Sequence, residues 1–323
     1  MKVNRDTFFK NIQNFEHAPF TQSRGYFDSK FSNKKNYVFF LNEESDPNFG
    51  CYGHRIKIPI VGGYMLYIES ICYNSIEEKS LLEFLKQLVD YDYKVINIID
   101  DNIYLPAAEI AFRKAGFRKP FGQFGTNLSI VINLNNEFNY SRLWKRNIKA
   151  AQKNDAFNCK QITDYNEKTI DKIVLLFKEN SETKNLPYCY SKSDLMNVLN
   201  NKKYKLFVAQ INDEIIAARI IYTNGKLAHD FSTANGRKSR KVKGVTNALM
   251  DYIFCFLKEN NFKYFDFSRL PIARKGAEGV CEFKLGSRGD IVKYNGEWLY
   301  TKKGIFRWGI YFINKFIRKK YEY

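Results

Sequence analysis

Residues Lys275–Trp298 read KGAEGVCEFKLGSRGDIVKYNGEW, and the fold turns on how this stretch is read. It follows a strand-like run, Tyr264–Ser268 (YFDFS), and carries a Phe-Lys pair, Phe283-Lys284. A Gly and basic turn (Gly286, Arg288, Gly289) leads from that pair into an alternating segment, Asp290–Tyr294. A strand over Glu282–Leu285 would send Phe283 to the core and Lys284 to the opposite face, toward a cleft. An isolated Phe-Lys pair reads as a surface lysine, because lysine is seldom buried. The order of elements around it is what gives it weight.

Working back from this stretch, the second half reads as strand (Phe157–Ile162), helix (Asn166–Thr183), helix (Ser193–Leu199), then strands over Lys205–Ile211, Ile215–Thr223 and Lys226–Ser232. Asn212-Asp213-Glu214 and Asn224-Gly225-Lys226 are hairpin turns between them. A helix over Val245–Glu259 follows, with Val245, Leu249, Tyr252, Ile253 and Phe256 as its apolar stripe. Three antiparallel strands, a helix and a strand make the order of an acetyltransferase-like domain. The first half carries a similar plan: strands over Tyr37–Leu41, Arg55–Val61 and Tyr64–Ile71, a helix over Ser75–Val89, a strand over Lys94–Ile99, a helix over Pro106–Lys114 and a strand over Leu128–Leu134. Residues 42–55, polar and glycine-containing, read as a loop. The expected class is therefore α/β (α+β), with two tandem acetyltransferase-like (GNAT) domains over 1–138 and 139–300. Each has a mixed sheet flanked by helices, and a tail follows over 301–323.

At 323 residues and 45% hydrophobic content the chain is long enough for two cores. No apolar run reaches the ~18 residues of a spanning helix, and the N-terminus has no signal-peptide core. Six cysteines without a CxxC pair imply reduced thiols and a cytoplasmic setting. Three histidines without ligand spacing give no metal site. The formal charge of +18 attracts anions: nucleic acid, an anionic membrane or phosphorylated substrates.

Four motifs, in order, carry a resemblance: Pro19–Lys30 (PFTQSRGYFDSK), Leu143–Asp155 (LWKRNIKAAQKND), Phe262–Ser268 (FKYFDFS) and Val280–Lys284 (VCEFK). With them the chain resembles the Fem family of peptidoglycan aminoacyltransferases, which are built from two acetyltransferase-like domains. The resemblance implies catalysis or donor contact at Lys284, beside Phe283. It implies acceptor binding at Gln22, Tyr26 and Lys30, the last on a phosphate of a nucleotide-linked muropeptide. The acceptor-site arginine of the family has no counterpart in the loop Asn185–Tyr190, where Tyr188 or Tyr190 stands instead. That departure puts the muropeptide acceptor in question.

The acetyltransferase phosphate loop, which uses backbone N–H groups and a helix N-terminus, is matched by Lys241–Thr246 (KVKGVT). Arg237, Lys238, Arg240, Lys241, Lys243, Gly244 and Thr246 are the donor-binding candidates. Their basicity suits the pyrophosphate of acyl-CoA, a tRNA acceptor stem or a solvated loop. Arg142, Arg146, Lys149 and Lys153 form one stripe of a helix, read either as a solvated face or as a binding patch. In the tail, Ile305, Trp308, Phe312, Ile313, Phe316 and Ile317 line one helical face, and Arg307, Tyr311, Asn314, Lys315 and Arg318 line the other. That pattern fits a membrane-surface anchor or a helix docked on the protein's own core.

The sequence thus points to an acyl or aminoacyl transferase that forms an amide on an amine of a cell-envelope precursor, with no tightly bound cofactor. Its donor would be aminoacyl-tRNA, acyl-CoA or an acyl carrier protein. The expected location is cytoplasmic, with peripheral attachment at the inner face of the cell membrane. No general base stands out. The competing reading is a non-catalytic acetyltransferase-fold binding protein held at a membrane or on RNA.

Overall fold

The computed structural model describes residues 1–30, 34–59, 62–122, 125–186, 189–272 and 276–317, with the side chains of Lys30 and Lys34 left out. Its elements run β1 (Lys2–Val3), α1 (Arg5–Ile12), α2 (Arg24–Lys30), β2 (Tyr37–Leu41), β3 (Phe49–Lys57), β4 (Tyr64–Glu69), β5 (Cys72–Tyr73), α3 (Glu78–Asp90), β6 (Val95–Ile103), α4 (Pro106–Lys114) and β7 (Leu128–Asn133). The second half continues with α5 (Arg142–Gln152), β8 (Phe157–Ile162), α6 (Glu167–Lys184), α7 (Lys192–Leu199), β9 (Tyr204–Ile211), β10 (Glu214–Asn224), β11 (Leu227–Asn235) and α8 (Val245–Glu259). It ends with β12 (Tyr264–Asp266), α9 (Glu278–Gly286), β13 (Asp290–Thr301) and α10 (Ile305–Phe312), which runs on as a π-helical turn to Ile317.

Local chemistry sets many of these limits. Ser141, Asn166 and Ser191 each cap a helix by accepting the backbone N–H three residues on, and Ser191 forms a capping box with Asp194. The β9–β10 turn places Asn212 and Asp213 at positive φ, as a two-residue hairpin requires.

The strands form one mixed sheet in the order β1-β2-β3-β4-β6-β13-β7-β12-β11-β10-β9-β8, with β5 beside β3. Among the described residues only β4–β6 and β11–β12 pair in parallel. The pairing crosses the middle of the chain. β13 pairs through Asp290–Lys293 with β7, then through Tyr294–Thr301 with β6, changing register around Gly296, whose φ is +75°. β7, from the first half, also pairs with β12 of the second. Helices α3 and α4 bury Leu81, Phe84, Leu85 and Phe112 against β6 and Trp298 of β13. Helices α5 and α8 bury Trp144, Ile148, Leu249 and Phe254 against Phe265, while α6 and α7 cover Tyr204, Leu206 and Tyr222.

Two expectations are overturned. Residues 49–55 belong to β3, not to a loop. Gly50 and Gly53 sit there because a Cβ at either would lie 2.8 Å from a neighbouring Leu or Ile side chain, so only glycine lets the strand pack this closely. Glu282–Leu285 lies in helix α9, not a strand. Phe283 stacks on Trp144 at 4.9 Å and its carbonyl accepts Trp144 Nε1–H at 2.8 Å, contacts that a strand in this place would not make.

The tail helix α10 buries none of its residues. Arg307 donates to the Lys119 carbonyl and Trp308 packs on Phe121 at 4.4 Å. Ile305, Phe312, Phe316 and Ile317 are at least half exposed, so the apolar face does not complete a core. Arg318 lies outside the described residues.

Candidate active site

The parallel pair β11–β12 sets His229 opposite Asp266, where the backbone ladder ends; beyond it Ser268 Oγ donates to the Asp230 carbonyl at 3.2 Å. Asp266 is buried and held by three donors: Ser129 Oγ at 2.5 Å, the Ser268 N–H at 2.7 Å and Tyr294 O–H at 2.8 Å. Arg219, almost wholly buried, pairs with Asp230 at 2.6 Å, and its guanidinium lies over the Phe283 ring. Across the join between the halves, Arg269 donates to Asp101 at 2.8 and 3.1 Å. Burial pushes the Asp101 carboxyl up, opposed by the Arg269 charge.

Lys284 projects from α9 into this region but not into an open cleft. Its ammonium donates to the carbonyls of Phe267 at 2.7 Å, Ser268 at 3.0 Å and Arg269 at 2.8 Å. These three bonds use all three of its protons and fix the loop that follows β12. Burial lowers its pKa, while Asp230 raises it.

The acceptor candidates are less available than their motif suggests. Gln22 is fully buried: its amide donates to the Tyr52 and Glu69 carbonyls and its oxygen accepts the Tyr52 N–H. Tyr26, also buried, donates to Glu69 Oε2 at 2.9 Å. Tyr190 packs edge-on against Phe177, and burial pushes its phenol up to about 12. The Lys30 side chain and Tyr188 lie outside the described residues.

The donor loop is better placed. Arg237–Lys241 forms a short 3-10 turn leading to Gly244, whose φ of +86° starts α8. Arg237 pairs with Glu182 and Lys238 with Glu214, both at the surface. Arg240, Lys241 and Lys243 have no ion-pair partner among the described residues. Nor do the N–H groups of Val245, Thr246 and Asn247, at the positive end of the helix, find an acceptor there. Thr246 uses its hydroxyl on Asn235. Gly244 is required for packing: a Cβ would lie 1.9 Å from the Asn147 carbonyl oxygen of α5. The outer face of α5 holds a shallow cavity of about 460 Å³ lined by Arg142, Lys145, Arg146, Lys149 and Lys153.

Sequence reasoning missed His229, Asp101, Arg269 and the Arg219–Asp230 pair. The YFDFS run was the visible signal; it supplies Asp266, whose neighbour His229 lies 37 residues earlier along the chain.

The sequence matches no protein-family model and no curated protein. Solved structures do match along the whole length. The crystal structure of FemX superposes with a TM-score of 0.72 at 11% identity, covering 96% of this chain and 99% of that one. This chain has a Fem-like acetyltransferase fold. The structure of L-PGS from Bacillus licheniformis gives a TM-score of 0.67 at 14% identity, covering 98% of both chains. The C-terminal domain of a putative lysylphosphatidylglycerol synthetase from Agrobacterium fabrum also gives 0.67, at 10% identity, over 96% of this chain and 95% of that one. Within this fold the start of α8 meets the end of β11 through the Thr246–Asn235 contact, and α9 reaches the segment after β12 through Lys284.

Proposed function

We propose that the chain is an acyl or aminoacyl transferase that forms an amide on an amine of a cell-envelope precursor. The observation that carries this reading is the start of α8. Three N–H groups without an acceptor among the described residues, a positive helix end and the basic Arg240, Lys241 and Lys243 meet at the end of β11, where Thr246 contacts Asn235. Such an entrance attracts the phosphates of a donor, and the basic face of α5 extends it for a longer polyanion such as the acceptor stem of an aminoacyl-tRNA. Acyl-CoA and acyl carrier protein remain donors of the same chemistry. FemX and the lysylphosphatidylglycerol synthetase share this fold and lend weight to aminoacyl transfer among its possible uses.

In this reading 1–138 and 139–300 act as two acetyltransferase-like units, and the acceptor enters between them, near Tyr26, Glu69 and Asp101. Lys284 shapes the site by holding the Phe267–Arg269 carbonyls, and its charge offsets negative charge on the reacting carbonyl. The exposed apolar face of α10, flanked by Lys302, Lys303, Arg307 and Lys315, lies on an anionic membrane, where a lipid-linked acceptor is presented. Among the described residues no helix is long and apolar enough to cross a membrane.

One observation favours the rival reading of a non-catalytic binding protein: the Lys284 ammonium is fully used on backbone carbonyls. The deciding experiment offers purified protein aminoacyl-tRNA and acyl-CoA donors with a panel of amine acceptors and looks for amide product by mass spectrometry. Tight donor binding with no product from any pair would support the binding protein instead.

A further inference from the structure

At the last pair of β11 and β12 stands His229, an ionisable side chain suited to take a proton near neutral pH. The parallel register fixes it opposite Asp266, with Nδ1 4.0 Å from Asp266 Oδ2. That separation is too long for a hydrogen bond but close enough for the carboxylate to stabilise a protonated ring. Asp266 cannot swing away, because Ser129, Ser268 and Tyr294 hold both its oxygens. The ring is walled by Phe20 and Tyr222, each 6.3 Å between centroids, which fix its plane. Neither of its nitrogens has a hydrogen-bond partner among the described residues, and 12% of the side chain is open to solvent.

The charged groups that act on it are Asp266 on β12 and Asp101 on β6, the latter paired with Arg269; Asp230, the next residue of β11, pairs with Arg219 instead. Burial lowers the histidine's pKa, so the resting ring is neutral, while Asp266 and Asp101 favour the charged form once a proton arrives.

We propose that His229, backed by Asp266, accepts the proton released by the acceptor amine during acyl transfer. This rests on the transferase reading given above. The amine nitrogen attacks the carbonyl carbon of the donor's ester or thioester and forms the N–C bond. The proton lost from that nitrogen goes to the free ring nitrogen of His229. As the tetrahedral adduct collapses, the C–O or C–S bond breaks and the same proton goes to the departing oxygen or sulfur. Amine and activated ester become amide and alcohol or thiol, and the histidine ends neutral.

His229→Gln keeps the size and one polar end of the side chain but cannot take a proton. The variant is expected to fold, shown by an unchanged melting temperature, and to lose roughly 100-fold or more in kcat/KM. The wild-type profile of log kcat/KM against pH should break from steeper to shallower below the ordinary histidine value of about 6.5, and the variant should lack that break. A His229→Gly variant should regain turnover when imidazole is added. Only three histidines are present, so 15N-histidine NMR can assign His229 and follow its protonation without any substrate. If the wild type transfers acyl groups while His229→Gln keeps both its rate and the break, or if the resonance of His229 does not titrate between pH 4 and 8, the proposal is overturned. Failure of the transferase reading looks different: the wild type itself makes no amide from any donor, whatever the histidine does.

Discussion

The two halves use the same order of strands and helices but build opposite entrances. In the first half α3 follows an extended Glu77, which offers no side-chain cap, and carries Glu78 in its first turn. In the second half α8 follows a left-handed Gly244 and the run Arg237–Lys243. An anion is repelled at the first helix end and drawn to the second. Behind the strand ends the halves differ too: both bury a carboxylate, Asp100 and Asp266, but the second also buries an ammonium. The first half buries a carboxylate, Asp100, which accepts from the Ile71 N–H, Asn102 and Asn295. The second half buries an ammonium, Lys284, which donates to three carbonyls. A repeated fold plan therefore gives no repeated site. In the proposed reading a phosphate-bearing donor would be drawn to the second half, where backbone and side chains agree in sign.

The largest effect is expected from Gly244→Ala. The new Cβ would strike the α5 backbone in a conformation that already disfavours side chains, so we expect a loss of about 4 kcal/mol or more in urea unfolding. Glu77→Ala, at the corresponding place in the first half, should change stability by well under 1 kcal/mol, since Glu77 makes no cap hydrogen bond. Equal effects at the two positions would remove the distinction. Next in size is Lys284→Ala. Three carbonyls lose their donor, and we expect about 3 kcal/mol of destabilisation together with loss of transfer. An unaltered unfolding midpoint would show that water replaces the ammonium freely.

Asp100 supplies a pH test. Burial raises its carboxyl to about 6, against about 3.9 in an unfolded chain. Between those values the folded state holds the extra proton, so this group's contribution to stability falls as pH rises from 4 to 6. The fall should be roughly 2–3 kcal/mol, and unfolding of Asp100→Asn over the same range should lack it. The smallest effect concerns the first entrance. Replacing Glu78 with Gln removes a favourable charge from the start of α3 and its 2.5 Å pair with Lys114. A loss of about 0.5 kcal/mol is expected at low salt, disappearing at high salt.

Much of the fold was legible in the sequence because it is written in local periods. The stripe of α8, the proline start of α4 and the paired positive-φ residues of the β9–β10 turn all act within a few residues. The failures share a physical cause. Helix α9 has Gly279, Val280 and Gly286 among its nine residues, so propensity does not favour it. It is held by Trp144, some 140 positions away, and a Cβ at Gly286 would lie 2.4 Å from that ring. Gly50 and Gly53 look like loop residues until Leu41 and Ile68 are seen against them. The basic donor loop was visible as composition. The His229–Asp266 pair was not, since it exists only through the parallel register of two separate strands. Lys284 was found by resemblance, but the resemblance could not reveal that its ammonium is already fully bonded.

The strand β13 has a consequence for how the protein is made. It fills the space between β6 and β7 but leaves the ribosome roughly 160 residues after β7. At 5–20 residues per second, those two inner strands wait roughly 10–30 s with bare edges on a nascent chain. Open strand edges invite pairing with other chains. The first half cannot finish folding as it emerges, and its closure depends on a segment synthesised well after it. Premature termination anywhere before Asp290 should therefore yield aggregates rather than a folded first half, and chaperone demand should persist until β13 has emerged.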